Sequence, residues 1–277
     1  MNKASSRLSL AIRWLILLAA LLFIYLPLIM VVVYSFSTST SIGSGFNSVT
    51  FGHYANFFRN EDLLGALKNT LIIGLSSAAI ATLLGTTAAV GIHYMKRRMK
   101  SAVDSASQIT VVNAEIVTAM GFFLFIIFLR DTVMIPVKFS LAWLIIAHTV
   151  ITTPYVILTV SPRLKQLNPN LLEASMDLGA GKMRSLFTVM LPQLAGAMVS
   201  GFALAFTLSL DDFVVTNINA DNTGVETIST YVYDGFKRNF PAEIRVLSTL
   251  ILVIVLVVLI GYNVAKAKKS NKQIKKG

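Results

Sequence analysis

Three carboxylates stand in or at the edge of apolar runs, Glu115, Asp211 and Asp212, and they are the residues best placed to do chemistry. A carboxylate inside a membrane costs at least ~2.5–3.5 kcal/mol on insertion scales, so such a group is a functional candidate by default. Carboxylates of this kind either move protons or hold cations. The sequence offers no Ser-His-Asp set and no paired carboxylate site suited to catalysis. It has no cysteine, which excludes thiol catalysis and thiolate metal sites. Its three histidines, His53, His93 and His148, are too widely spaced for a metal-ligand pattern. Residue type alone leaves a role on a substrate pathway and a purely structural role both open for these three carboxylates. Asp212 lies three residues past Ser209 and is expected to continue the face of that helix into a bundle. Glu115 is expected about ten residues into its helix, buried roughly 15 Å deep by helical rise. The plainer alternatives are that Asp211 and Asp212 cap a membrane boundary and that Glu115 is held neutral or hydrogen-bonded. His148, beside Thr149, reads as a buried hydrogen-bonder.

The elements that hold these groups follow from composition. Of 277 residues, 55% are hydrophobic and only 13% charged, against about 25% charged in soluble domains. With a mean hydropathy of +0.71, the chain has lipid as the solvent for most of its surface. Six segments meet the length of about 20 apolar residues that spanning requires. They are expected at about 14–36, 69–92, 105–129, 139–160, 192–210 and 246–265. The N-terminal apolar run is longer than the core of a secretory signal, so it is read as a retained helix. The fold class is therefore an all-α membrane protein of six transmembrane helices.

Charge sets the orientation. The net charge of +11 flanks apolar runs, so it reads as topology rather than as a nucleic-acid surface. Lys3, Arg7 and Arg13, then Lys96 to Lys100, Arg163 to Arg184, and Lys266 to Lys276 fall on one side. Only Arg59, Lys68, Arg130, Lys138, Lys237, Arg238 and Arg245 fall on the other. Basic loops stay inside, which puts both termini in the cytoplasm. The acidic residues lie mostly outside, among them Glu61, Asp62, Asp131, Asp221, Glu226, Asp234 and Glu243. That excess suits either ordinary solvated loops or an outer vestibule that attracts cations.

Small residues indicate how the helices meet, because lipid gives them no hydrophobic reason to associate. Helix five carries Ala197, Gly201, Ala205 and Ser209 at four-residue spacing, and helix two carries Gly74, Ala78, Ala81, Gly85 and Ala89. Each set is a smooth ridge along one face. Pro27 and Pro154 are candidate kinks.

The stretch 163–192, between helices four and five, is too polar to span. Asn168 is a good N-cap with Pro169 at the first helical position, and Gly179 suits a left-handed helix stop near Leu178. A second helix is expected from about Gly181, leading to Leu191-Pro192, where helix five begins. Gly179-Ala180-Gly181-Lys182 imitates part of a P-loop, but Met176 and Met183 stand where Gly and Ser or Thr are required, so there is no phosphate cradle. Glu173-Ala174-Ser175 is followed after three residues by Gly179, after nine more by Val189, and after one more by Leu191-Pro192.

That pattern resembles the EAA loop of the inner-membrane subunits of binding-protein-dependent ABC importers. Ser175 stands in place of the second Ala and Val189 in place of Ile. The resemblance implies that the first short helix, carrying Glu173, Ala174, Ser175 and Asp177, is a coupling helix that docks in a groove of a cytoplasmic ATPase dimer. Gly179 would make the turn, and Leu191 and Pro192 would start helix five. It further implies that ATP and Mg are bound by the partner ATPase, with no cofactor and no enzyme activity in this chain. The other implied partners are a second permease subunit, either a sister or a copy of this chain, and an extracytoplasmic substrate-binding protein.

Within that family the chain is most similar to polyamine (spermidine/putrescine) permeases, around Leu208 to Val215 and Asn113 to Val117. Relatives often carry Pro where this chain has Ala114, which leaves the local backbone open. The resemblance implies import of a polyamine through the cytoplasmic membrane of a bacterium, with Asp211, Asp212 and Glu115 on the substrate pathway. Tyr231, Tyr233 and Phe236 are candidates for contact with the delivery protein. The alternatives are an importer for another solute, such as ferric iron, and a channel or secondary transporter. An anion importer should show Arg or Lys inside the spans, and none has one away from its ends.

Overall fold

The computed structural model describes residues 3–39, 45–136, 138–168, 170–220, 224–237 and 241–274. Pro169, Asp221, Arg238, Lys275 and Lys276, named above, lie outside the described residues. The chain is all-helical, as lipid demands: each backbone N–H and C=O must find its partner within the segment. Among the described residues the α-helices are α1 (Lys3–Ser35), α2 (Gly52–Phe57), α3 (Glu61–His93), α4 (Arg97–Val112), α5 (Glu115–Ile127), α6 (Leu141–Gln166), α7 (Asn170–Asp177), α8 (Lys182–Ser185), α9 (Leu191–Asp211), α10 (Val214–Asn219), α11 (Ile228–Lys237) and α12 (Ala242–Ile274). Among the described residues, Ile12–Ser35, Glu61–His93, Leu141–Gln166 and Lys182–Asp211 are long and apolar enough to cross a membrane. The pair α4–α5 adds a fifth such span if counted as one, and α12 covers the sixth expected segment.

The expected third span is not one straight helix. Its two parts meet at 103°, with the break at Asn113 and Ala114, both in extended conformation. The run Thr110-Val111-Val112 is β-branched and a weak helix former, and Asn113 competes with the helix for hydrogen bonds. Its side-chain amide donates instead to the Thr118 hydroxyl, 3.3 Å away. Ala114 has φ −64°, the value a proline would fix.

Residues 62–231 form one compact unit. Its core is where α3, α6 and α9 meet, and the small-residue ridges explain it. All five ridge residues of α3 are buried, as are Gly201, Ala205 and Ser209 of α9. Val156 of α6 fills the space they leave. A Cβ on Gly85 would lie 2.7 Å from the Val156 Cβ, and one on Gly201 would lie 3.2 Å from its Cγ1. Glycine at both positions is what lets three helices close on one valine. Phe206 covers Gly74 in the same way.

Residues 1–61 and 232–277 form a second unit, in which α1 and α2 pack on α12. The side chains of α1 from Trp14 to Ile24 are exposed, as a lipid-facing helix requires. Arg245, at the start of α12, is fully buried. It donates to the carbonyls of Tyr34 at 3.2 Å and Ser39 at 2.7 Å, placing a cation at the C-terminal end of α1.

Candidate functional site

The three carboxylates come together. Glu115, Asp211 and Asp212 line one cavity of about 90 Å³ with Asn113, Thr118, His148, Tyr155 and Ser209 among the other walls. Each reaches it by a route that differs from expectation. Glu115 is not deep inside a continuous helix. The break at Asn113–Ala114 makes it the first residue of α5, where it is exposed and its charge meets the positive end of the helix dipole. Asp211 closes α9 and is exposed. Asp212 leaves the helix with φ −65° and ψ 122°, so it does not continue the Ser209 face as a further turn.

Asp212 instead turns back to cap α10. Its carboxylate accepts from the backbone N–H of Val215 at 3.2 Å and of Thr216 at 3.0 Å, and from the Thr216 hydroxyl at 3.2 Å. The side chain keeps 12% of its surface open, so the cap does not close it off from the cavity. Behind it lies His148, whose Nε2 is 3.1 Å from Thr216 Oγ1 and 3.5 Å from Asp212 Oδ2. His148 Nδ1 is 2.7 Å from Ser209 Oγ, and the Ser77 hydroxyl donates to Ser209 Oγ at 3.1 Å. One direction of donation satisfies the whole chain. Ser77 donates to Ser209, Ser209 to Nδ1, Nε2–H to Thr216, and Thr216 to Asp212. His148 is thus a buried hydrogen-bonder, and what it bonds is the machinery that orients Asp212.

Asn219 fastens α10 from the other side. Its amide donates to the carbonyls of Ala119 and Val215, both at 3.1 Å, and its oxygen accepts from the Trp143 indole at 3.3 Å. A buried polar network with every member partnered holds one geometry. Tyr155, Thr152, Ser77 and Thr216 were not singled out from sequence. His148, Ile151, Thr152 and Tyr155 fall at i, i+3, i+4 and i+7, which is one helical face and the signal that points to Thr152 and Tyr155, whereas Ser77 and Thr216 lie on α3 and α10 outside it. Three carboxylates, a phenol ring and hydroxyl oxygens converging on one small cavity suit a ligand that carries positive charge and hydrogen-bond donors.

The second constellation lies on α7 and the turn after it. Asn168 caps α7 as expected, its side-chain oxygen accepting from Asn170 N–H at 3.0 Å. Gly179 has φ +87°, the left-handed stop. Gly179 N–H donates to Met176 O at 2.9 Å and Ala180 N–H to Ser175 O at 3.2 Å, the paired bonds of a Schellman ending. Glu173, Ala174 and Asp177 are exposed, and Leu178 is 89% exposed. Ser175 donates to Ser185 Oγ at 2.9 Å and so ties α7 to α8.

The second helix of this loop leads to Leu191-Pro192 and continues into helix five, from Lys182 to Asp211, and what the sequence does not show is the π turn at Leu186–Met190 that joins them. The physical reason is Pro192, which has no N–H and crowds the carbonyl four residues back. The π turn takes up that misfit, with Leu191 N–H reaching Leu186 O and the Gln193 amide donating to Val189 O at 3.1 Å. Leu191 is half-buried and Pro192 exposed at this junction.

Residues 81–267 match the model of the binding-protein-dependent transport system inner membrane component family. The putrescine transport system permease protein PotI of Escherichia coli (strain K12) is 32% identical over 220 residues, 78% of each chain. The spermidine/putrescine transport system permease protein PotC of the same organism is 30% identical over 229 residues, 79% of this chain and 84% of that one. In fold, the chain is similar to a bacterial ABC transporter involved in import of the acidic polysaccharide alginate, with TM-score 0.74, 16% identity and 96% of each chain covered. It is also similar to the MetNI methionine ABC transporter in an inward-facing form, with TM-score 0.54, 19% identity, and 78% of this chain and 95% of that one covered.

Proposed function

Because the chain belongs to the binding-protein-dependent transport system inner membrane component family, we propose that it is the permease subunit of an ATP-driven importer that carries polyamines. The observation that carries the substrate is the convergence of Glu115, Asp211 and Asp212 on one cavity. A polyamine presents ammonium groups along a flexible chain, and each must trade water for a carboxylate or aromatic face. The names of the relatives, putrescine and spermidine/putrescine permeases, support the same class.

The chain crosses the bacterial inner membrane six times with both termini in the cytoplasm. Helix α7, carrying Glu173, Ala174, Ser175 and Asp177, docks in a groove of a cytoplasmic ATPase dimer, which binds ATP and Mg. Gly179 sets the angle at which α7 turns back. The unbroken helix from Lys182 to Asp211 then joins this contact mechanically to the end of α9, where Asp211 and Asp212 stand. A movement of α7 is thereby delivered to the carboxylate cavity. A second permease subunit, sister or self, completes the pathway, and an extracytoplasmic binding protein delivers the substrate.

The test is uptake of radiolabelled spermidine and putrescine by cells lacking this gene and other polyamine importers. Complementation with the wild-type gene restores uptake if the assignment is right. Restored growth on limiting iron, with no polyamine uptake, would instead assign the permease to another solute.

A further inference from the structure

A second cavity, of about 170 Å³, lies behind α7, between the end of α3, the end of α6 and the π turn. Its floor is apolar: Leu164 from α6, Leu171 and Leu172 from α7, and Met190 from the π turn. Its rim is basic and rich in donors, with His93, Tyr94, Lys165 and Asn168. An adjoining space shares His93, Leu164 and Lys165 and adds Lys100 together with one carboxylate, Asp104. Two lysines and a histidine from α3, α4 and α6 thus converge against a single acidic group. Neither lysine is in an ion pair among the described residues. Asp104 offsets only one of the two lysine charges, so the adjoining space keeps an excess of positive charge that an anion would complement.

We propose that this cavity binds the phosphate headgroup of an anionic phospholipid from the cytoplasmic leaflet. The shared chemistry is a phosphate group, which a lipid or a free anion can supply, and the apolar floor favours the lipid. A headgroup would meet Lys165 and His93 at the rim and Lys100 from the adjoining space, and the start of an acyl chain would lie on Leu164, Leu171 and Met190. Basic pockets between transmembrane helices on the cytoplasmic side are suited to such headgroups. The placement rests on the reading of the α7 end as the cytoplasmic one. Because Leu171 and Leu172 belong to α7, an occupied site would brace the coupling helix from behind.

The test is native mass spectrometry of the purified full-length chain in detergent, titrated with phosphatidylglycerol, with phosphatidylethanolamine, or with inorganic phosphate alone. No transport substrate is present, so the result is independent of the polyamine assignment. Wild type is expected to retain phosphatidylglycerol. Lys100→Gln with Lys165→Gln should weaken retention about 30-fold, corresponding to about 1 kcal/mol per lysine near the surface. Arg97→Gln with Arg98→Gln, which removes charges of α4 that line neither the cavity nor the adjoining space, should retain it. Equal loss in the two double variants would show a diffuse basic surface and overturn the site. Equal retention of phosphatidylethanolamine would overturn the role of the anion. Inorganic phosphate that binds alone and displaces the lipid would overturn the lipid assignment and leave a phosphate site.

Discussion

Replacing Asp212 separates its role as cap of α10 from its proposed role as partner of a substrate ammonium. The carboxylate accepts three hydrogen bonds, two of them through Oδ2. In Asp212→Asn the remaining oxygen can keep the Thr216 pair while the Val215 bond is lost, at a cost of about 1–2 kcal/mol in stability. In Asp212→Ser the hydroxyl remains a good cap and the negative charge is gone. On the proposed role, either change removes a charge-assisted bond to an ammonium, about 1.5–3 kcal/mol, which is about a 10- to 100-fold loss in uptake efficiency. The assay is the initial rate of labelled spermidine uptake per membrane-inserted copy, beside the unfolding midpoint of the purified chain. Both variants should lose uptake to similar degrees while differing in stability. Normal uptake per inserted copy in Asp212→Ser would refute the reasoning, because Asp212 would then be a cap alone.

Other changes probe the scaffold. Ala114→Pro places proline at φ −64° after an extended Asn113, so it should leave uptake intact and raise the unfolding free energy by about 0.4–1 kcal/mol, as a thermal-shift assay would show. Gly85→Ala drives a Cβ to 2.7 Å from that of Val156, and the overpacking should cost about 1–3 kcal/mol, read as a lower unfolding midpoint with normal membrane insertion. Arg245→Met keeps much of the volume but strips the donors from Tyr34 O and Ser39 O, and should cost about 3 kcal/mol or more, read by proteolytic susceptibility of the purified chain.

The parts of this fold that were legible in sequence share a cause: local composition fixes them. Apolar length marks the helices, small-residue spacing marks the faces of α3 and α9 that close on Val156, and Asn168 and Gly179 mark the ends of the α7 turn. The unforeseen features are set by tertiary packing or by competing local signals. The break before Glu115 has no proline to announce it, and it changes Glu115 from a buried group to an exposed helix-starting one. The π turn before Pro192 depends on how neighbouring carbonyls are satisfied. The convergence of Glu115 with Asp211 and Asp212 spans almost a hundred residues of sequence. The chain from Ser77 through Ser209 and His148 to Asp212 draws on α3, α9 and α6. No short-range pattern encodes such a meeting, although the face shared by His148, Thr152 and Tyr155 points toward it.

The most direct test of the central claim, that this chain couples polyamine passage to a partner ATPase through α7, is ATP hydrolysis by the assembled transporter in proteoliposomes. Spermidine with its binding protein should stimulate hydrolysis in wild type and not in Glu173→Arg, with both chains inserted equally. Equal stimulation in Glu173→Arg, or none by polyamine in wild type, would contradict it.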